Sequence, residues 1–143
     1  MNKIVCGAIA AALMAFTAPA FAGSNEIAVI VKSSASNFWQ NVNKGATAAI
    51  AKHPEFTMTF QGPAAEANVA DEVNMVENAI NRKVAGIVLA ASDPDALTPS
   101  LKKAWENAIP VVLIDSAVSK DADKYYQAFL STDNKKAGEL CAE

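Results

Sequence analysis

The stretch Val69-Ala-Asp-Glu-Val-Asn-Met-Val-Glu-Asn-Ala-Ile-Asn-Arg-Lys-Val-Ala-Gly-Ile-Val-Leu-Ala-Ala91 changes its period partway along. Val69, Val73, Val76 and Ile80 recur every three or four residues, with Met75 beside them, and draw one apolar stripe down a helix. From Val84 to Ala91 the apolar residues become continuous and partly β-branched, as in a strand covered on both faces. A helix that delivers the chain to a doubly covered strand is the repeating unit of a parallel sheet.

The same alternation extends in both directions. Upstream, Ile27-Ala-Val-Ile-Val31 reads as a buried strand. Phe38, Val42, Ala46, Ala49 and Ile50 then recur at helical spacing, with Ser36 or Asn37 placed to cap the start. His53-Pro54 closes that helix, because proline disfavours helical geometry in the residue before it. Thr57 to Phe60 is a weaker, more polar strand expected near a sheet edge, and Gly62-Pro63 marks a turn. Downstream, Ser92-Asp-Pro-Asp95 reads as a capping box with Pro94 in the first turn, and Leu97, Leu101, Ala104, Trp105 and Ala108 as the inward face of the helix. Val111-Val-Leu-Ile114 is a fourth buried strand ending at Asp115, and Tyr125 to Leu130 a short fifth. Ser131 to Asn134 offer capping side chains to a last helix begun by Ala137, Leu140 and Cys141. The order predicts an α/β fold, a three-layer α-β-α sandwich around a mostly parallel, doubly wound sheet.

Residues 1–22 read as a secretory signal peptide. Lys3 gives a positive start, Ile4 to Phe16 an apolar stretch, and Ala20-Phe21-Ala22 the small-x-small cleavage pattern. A membrane anchor needs about 20 continuous apolar residues, which Pro19 and the polar run from Gly23 do not leave. Removing 22 residues from 143 leaves 121, enough for one domain, and the loss of Lys3 takes the net charge from −3 to −4. Acidic residues are scattered and no basic cluster stands out, which argues against nucleic acid as a partner. Only Cys141 would remain after cleavage, so stability is expected from a packed core rather than an internal disulfide.

In an open parallel sheet, ligands bind beyond the carboxyl ends of the strands. Those positions fall at Lys32 to Trp39, Gln61 to Glu66, Ala91 to Asp95 and Asp115 to Ala117. The first combines a cation, hydroxyls and two adjacent aromatics, Phe38 and Trp39, which point about 100° apart on a helix. One can sit in the core while the other faces the cleft, and an aromatic wall with polar donors suits a sugar. Both rings in the core is the competing reading. Asp115 is a carboxylate delivered by an apolar strand, able to accept two hydrogen bonds from neighbouring hydroxyls, or else a residue capping a turn. Asp93 and Asp95 read as helix-start residues, and Glu66 as a contributor to the next helix's first turn. The dinucleotide, phosphate-loop and nucleophile-elbow motifs are missing. With a single histidine, His53, no histidine-based zinc cluster can form. Binding without catalysis, and without cofactor or metal, is the expectation; an exported carboxylate-dependent enzyme is the weaker alternative.

An exported chain whose first strand runs into Lys32-Ser-Ser-Ala-Ser-Asn-Phe-Trp39 resembles the N-terminal lobe of a periplasmic sugar-binding protein of the ribose-binding type. Gly45, the Asn74-to-Ile80 helix leading to Val84-Ala-Gly-Ile-Val-Leu-Ala90, Ser92-Asp-Pro-Asp-Ala-Leu97, Pro110-Val-Val-Leu-Ile-Asp115 and Ser131-Thr-Asp-Asn134 carry the resemblance along the mature segment. It implies a periplasmic receptor that closes on a pentose or hexose and delivers it to an inner-membrane ATP-driven permease, as a monomer at full length. By position it implies ligand contacts from Lys32, Ser36, Phe38 and Trp39, and from Asp115 as the family's clasping aspartate. Ser116 stands where that family usually has arginine, and is kept as a ligand-binding candidate. Lys32 and Ser116 depart from a ribose site and leave open rhamnose-like sugars or the furanosyl signal autoinducer-2. A repressor class shares the fold, but its members begin with a DNA-binding segment and stay inside the cell. The resemblance divides the chain into a leader at 1–22, a first lobe at 23–132, and a hinge with the start of a second lobe at 133–143. A truncated lobe without useful affinity is the remaining alternative.

Overall fold

The computed structural model describes residues 24–142, so the leader expected at 1–22 lies outside the described residues. Five strands form one parallel sheet: β1 (Glu26–Ile30), β2 (Thr57–Gln61), β3 (Gly86–Leu89), β4 (Val111–Ile114) and β5 (Ala128–Leu130), in the order β2-β1-β3-β4-β5. Helices α1 (Asn37–Ile50), α2 (Val69–Asn81) and α3 (Thr98–Glu106) make the first three crossovers, and α4 (Asn134–Cys141) follows β5. The chain first steps outward from β1 to β2, then reverses past β1 to β3 and β4. Right-handed crossovers therefore place α1 on one face and α2 with α3 on the other. The three-layer sandwich expected from the sequence is the fold observed, with the polar β2 at the edge.

Alternation along each strand divides the apolar residues between the two faces. Ala28, Ile30, Ile87, Leu89, Val111 and Leu113 join Val76, Ala79, Ile80, Leu97 and Leu101 in the main core under α2 and α3. Val29, Val31 and Ala90 meet Trp39 of α1 in a smaller second core. This second face is thinly covered, and Phe129 and Leu130 of β5 remain 40% and 59% exposed.

Four local expectations are corrected. Helix α3 begins at Thr98, with Pro99 rather than Pro94 in its first turn. The Asp93 carboxylate instead accepts the N–H groups of Asp95 and Ala96 at 2.9 and 2.8 Å, closing a turn of its own before the helix. Trp105, expected inward, is 51% exposed, and Ala108 lies past the helix end at φ 56°. The inward stripe is Leu97, Leu101 and Ala104, one helical position away from Trp105. In α1, Trp39 is buried at 3% exposure and Phe38 is 57% exposed, so the stripe runs from Trp39 through Val42 and Ala46. The fifth strand is shorter than expected: Tyr125 ends a 3-10 helix, Lys120–Tyr125, that buries Ala122, and the strand begins only at Ala128.

At the amino ends of the strands, Arg82 grips Glu26 with two donors, Nη2 to Oε1 at 2.7 Å and Nε to Oε2 at 3.1 Å, while the Thr59 hydroxyl donates to Oε1 at 2.6 Å. The bond from Arg82 holds the Glu26 carboxyl below its ordinary value of 4.5, against the opposing effect of burial. A carboxyl lowered in this way stabilises the fold above its unfolded value and loses that contribution as pH falls through the folded value. Acidification below pH 4.5 is therefore expected to destabilise the native chain more steeply than Glu26→Gln, as read by urea midpoints across pH. Arg82→Ala is expected to cost about 1 kcal/mol at neutral pH.

Candidate functional site

The loop that follows β1 is held by its neighbour after β2. The Ser34 N–H donates to the Pro63 carbonyl at 3.0 Å and the Ser33 hydroxyl to the Ala64 carbonyl at 3.3 Å. Gly62 makes this approach possible: a Cβ there would lie 2.7 Å from the Val31 carbonyl oxygen and 2.9 Å from the Ser34 nitrogen. Both are backbone atoms that cannot swing aside. Gly62→Ala is expected to destabilise by about 1–3 kcal/mol, measured by urea unfolding, and to displace Lys32 at the same time.

Lys32 projects from the β1 tip and its Nζ lies 2.9 Å from Asp115 Oδ2 at the β4 tip. The Ser116 hydroxyl donates to the same oxygen at 2.8 Å, so both contacts fall on Oδ2 and leave Oδ1 for another partner. Burial pushes the Asp115 carboxyl up, but the bonds from Lys32 and Ser116 outweigh it and keep the group below its ordinary value of 3.8. Asp115 also has a left-handed backbone, φ 64°, a region that aspartate enters more readily than most residues. Its N–H is satisfied by the Leu130 carbonyl at 2.9 Å, which ties the turn to β5.

Beside Asp115 lies a cavity of about 310 Å³ lined by Phe38, Trp39, Val42, Ile114, Leu130, Ser131 and Thr132. Its size is within the range of small-ligand sites. The aromatic rings meet edge to face, with centroids 4.8 Å apart and planes at 81°. Trp39 packs in the second core and donates from Nε1 to Glu66 Oε1 at 3.4 Å, whereas Phe38 presents its ring outward.

Of the six candidates, Phe38, Trp39 and Asp115 line this cavity, and Lys32 and Ser116 bond directly to Asp115. Ser36 occupies the N-cap position of α1 without a side-chain capping bond and is not part of the lining. Asp93 and Asp95 are engaged in the turn before α3, where Ser119 donates to Asp95. Glu66 lies ahead of α2 and serves Trp39 rather than a first helical turn. Ser131 and Thr132 join the site unexpectedly; they follow β5, and the strand-tip rule applied to that strand points to them.

The family model described as "Periplasmic binding protein domain" matches residues 27–143, which cover the sheet apart from Glu26, all four α-helices and this strand-tip cavity. The chain belongs to the periplasmic binding protein family. A solute-binding protein of an ABC transporter from Agrobacterium vitis, solved with bound D-fucose, is 72% identical with a TM-score of 0.79. The match covers 82% of this chain and 40% of that one. The D-ribose/D-allose-binding protein of Pseudomonas aeruginosa is 32% identical over 121 residues, 82% of this chain and 38% of its own length. A carbohydrate transporter solute-binding protein from Agrobacterium radiobacter, in complex with D-arabinose, is 32% identical with a TM-score of 0.72, covering 85% of this chain and 39% of that one. The chain thus spans about two fifths of the length of these relatives.

Proposed function

We propose that the chain forms the first lobe of a periplasmic receptor for a monosaccharide, which it presents to an inner-membrane ATP-driven permease. The observation that carries this reading is the disposition of Asp115: Oδ2 is held by Lys32 and Ser116, neither of them engages Oδ1, and the residue lines an aromatic-walled cavity. A fixed carboxylate accepts strong bonds from sugar hydroxyls, and an exposed ring packs against the C–H face of a pyranose. Lys32 and Ser116 act chiefly by orienting Asp115, and Ser131 and Thr132 add hydroxyls at the rim. Periplasmic residence agrees with the leader read in residues 1–22.

Sugars bound by the relatives name the first ligands to try. D-fucose leads, because the 72%-identical structure holds it and because its methyl group suits the apolar wall of Val42, Ile114 and Leu130. One lobe covers only one side of such a ligand, so residues 23–143 alone are expected to bind weakly, near the millimolar range of about −4 kcal/mol. The test is calorimetric titration of D-fucose, D-ribose, D-allose, D-arabinose and autoinducer-2 into this chain and into its fusion with the remaining segment of the Agrobacterium vitis relative. Heat from at least one monosaccharide with the fusion, and a weaker response from the single lobe, is expected. A folded fusion that binds none of the sugars overturns the reading.

A further inference from the structure

Glu72 is the only charged residue among the buried described residues, at 0% exposure. It sits in the first turn of α2, at the strand-tip end of the molecule, on the same inward side as Val76 and Ala79. Its Oε2 accepts the Ser92 N–H at 3.0 Å, joining α2 to the loop that leaves β3. Two further polar atoms there, Glu72 Oε1 and Ser92 Oγ, are buried without a hydrogen-bond partner. A carboxylate kept in such a place is costly to the fold, and an apolar residue would pack there more cheaply. Burial pushes the Glu72 carboxyl above its ordinary value, the Ser92 contacts and the Lys32 ammonium draw it down, and the Glu66 carboxylate on the preceding loop pushes it up. Lys32 is thus paired with Asp115 at the cavity and acts electrostatically on Glu72 as well.

We propose that Glu72 is a positioning residue for the ligand site: it fixes the loop after β3 through Ser92 and holds Lys32 where it pairs with Asp115. The function assigned to Glu72 rests on the sugar-binding reading of the cavity, while the contact itself does not. Alanine at 72 removes the acceptor for the Ser92 N–H and the negative group that acts on Lys32. Glutamine keeps an acceptor, offers an amide donor to Ser92 Oγ, and removes only the charge.

Amide exchange by NMR and sugar titration on the same full chain separate these roles. In Glu72→Ala the Ser92 amide is expected to exchange at least ten-fold faster after normalisation to Leu89, with a shift of the Lys32 side-chain signals. Glu72→Gln is expected to retain Ser92 protection while the Lys32 signals still move. Ile80→Ala, which weakens the same core near the far end of α2, is expected to change neither selectively. D-fucose affinity is expected to fall ten-fold or more in Glu72→Ala and by a smaller factor in Glu72→Gln. Uniform acceleration of Ser92 and Leu89, or unchanged affinity in a wild-type background that binds, overturns the proposal. If Glu72→Ala does not fold, Glu72→Gln decides: unmoved Lys32 signals reject the positioning role. Selective loss at Ser92 with no sugar bound by any variant, wild type included, upholds the positioning contact and rejects the sugar reading instead.

Discussion

Asp115→Ala is expected to lower monosaccharide affinity about 30-fold or more, because charge-assisted hydrogen bonds contribute roughly 1.5–3 kcal/mol each and tenfold corresponds to about 1.4 kcal/mol. The substitution removes the free Oδ1 acceptor and also releases Lys32 and Ser116 from Oδ2. It has a backbone effect as well. Alanine at φ 64° lacks aspartate's tolerance of the left-handed region and adds about 1 kcal/mol of destabilisation. Asp115→Asn separates the two consequences, since asparagine enters that region readily and keeps one carbonyl acceptor. The asparagine variant is expected to keep the wild-type urea midpoint and lose about tenfold in affinity, with calorimetry as the readout. A folded alanine variant with undiminished affinity would reject the clasping role and leave Asp115 as the cap of its turn.

The sheet was legible because three of its strands, β1, β3 and β4, are apolar on both sides, and only buried parallel strands require that pattern. What the apolar runs concealed was the division between faces. Val29 and Ile30 look alike in the sequence, yet one packs under α1 and the other under α2 and α3. The start of α3 was hidden by an ambiguity of aspartate, since Asp93 can cap a helix or close a turn with the same carboxylate, and here it closes the turn. Phe38 and Trp39 were ambiguous in phase, because a helix that begins one residue earlier or later exchanges their faces. The strand-tip rule located Lys32 and Asp115, but not their bond. They stand just past the ends of β1 and β4, with β3 between them followed by Ala90 and Ala91, and these small side chains leave the lysine room to reach across. Glu72 is illegible for the opposite reason: an acidic residue in a first helical turn reads as solvated, and its partner Ser92 is near only in three dimensions.

Trp39→Ala carries the largest expected loss of stability, about 3–5 kcal/mol, as befits a buried indole cut to a methyl group. Trp39 is the one buried side chain that α1 contributes, and the core it shares with Val29, Val31 and Ala90 has few other members to close over the gap. Against a typical total of about 5–15 kcal/mol, that loss leaves a measurable unfolded fraction at 37 °C. Trp39→Phe restores most of the packing and forfeits the bond to Glu66, so about 1–2 kcal/mol is expected from it. Phe38 tests the other half of the same pair. At 57% exposure, Phe38→Ala is expected to move the urea midpoint by no more than about 0.5 kcal/mol, while weakening sugar binding by removing the outward ring. Adjacent aromatics then separate cleanly, one setting stability and its neighbour setting affinity. The converse pattern, with Phe38→Ala unfolding the chain and Trp39→Ala leaving it intact, would place the rings on the opposite faces of α1.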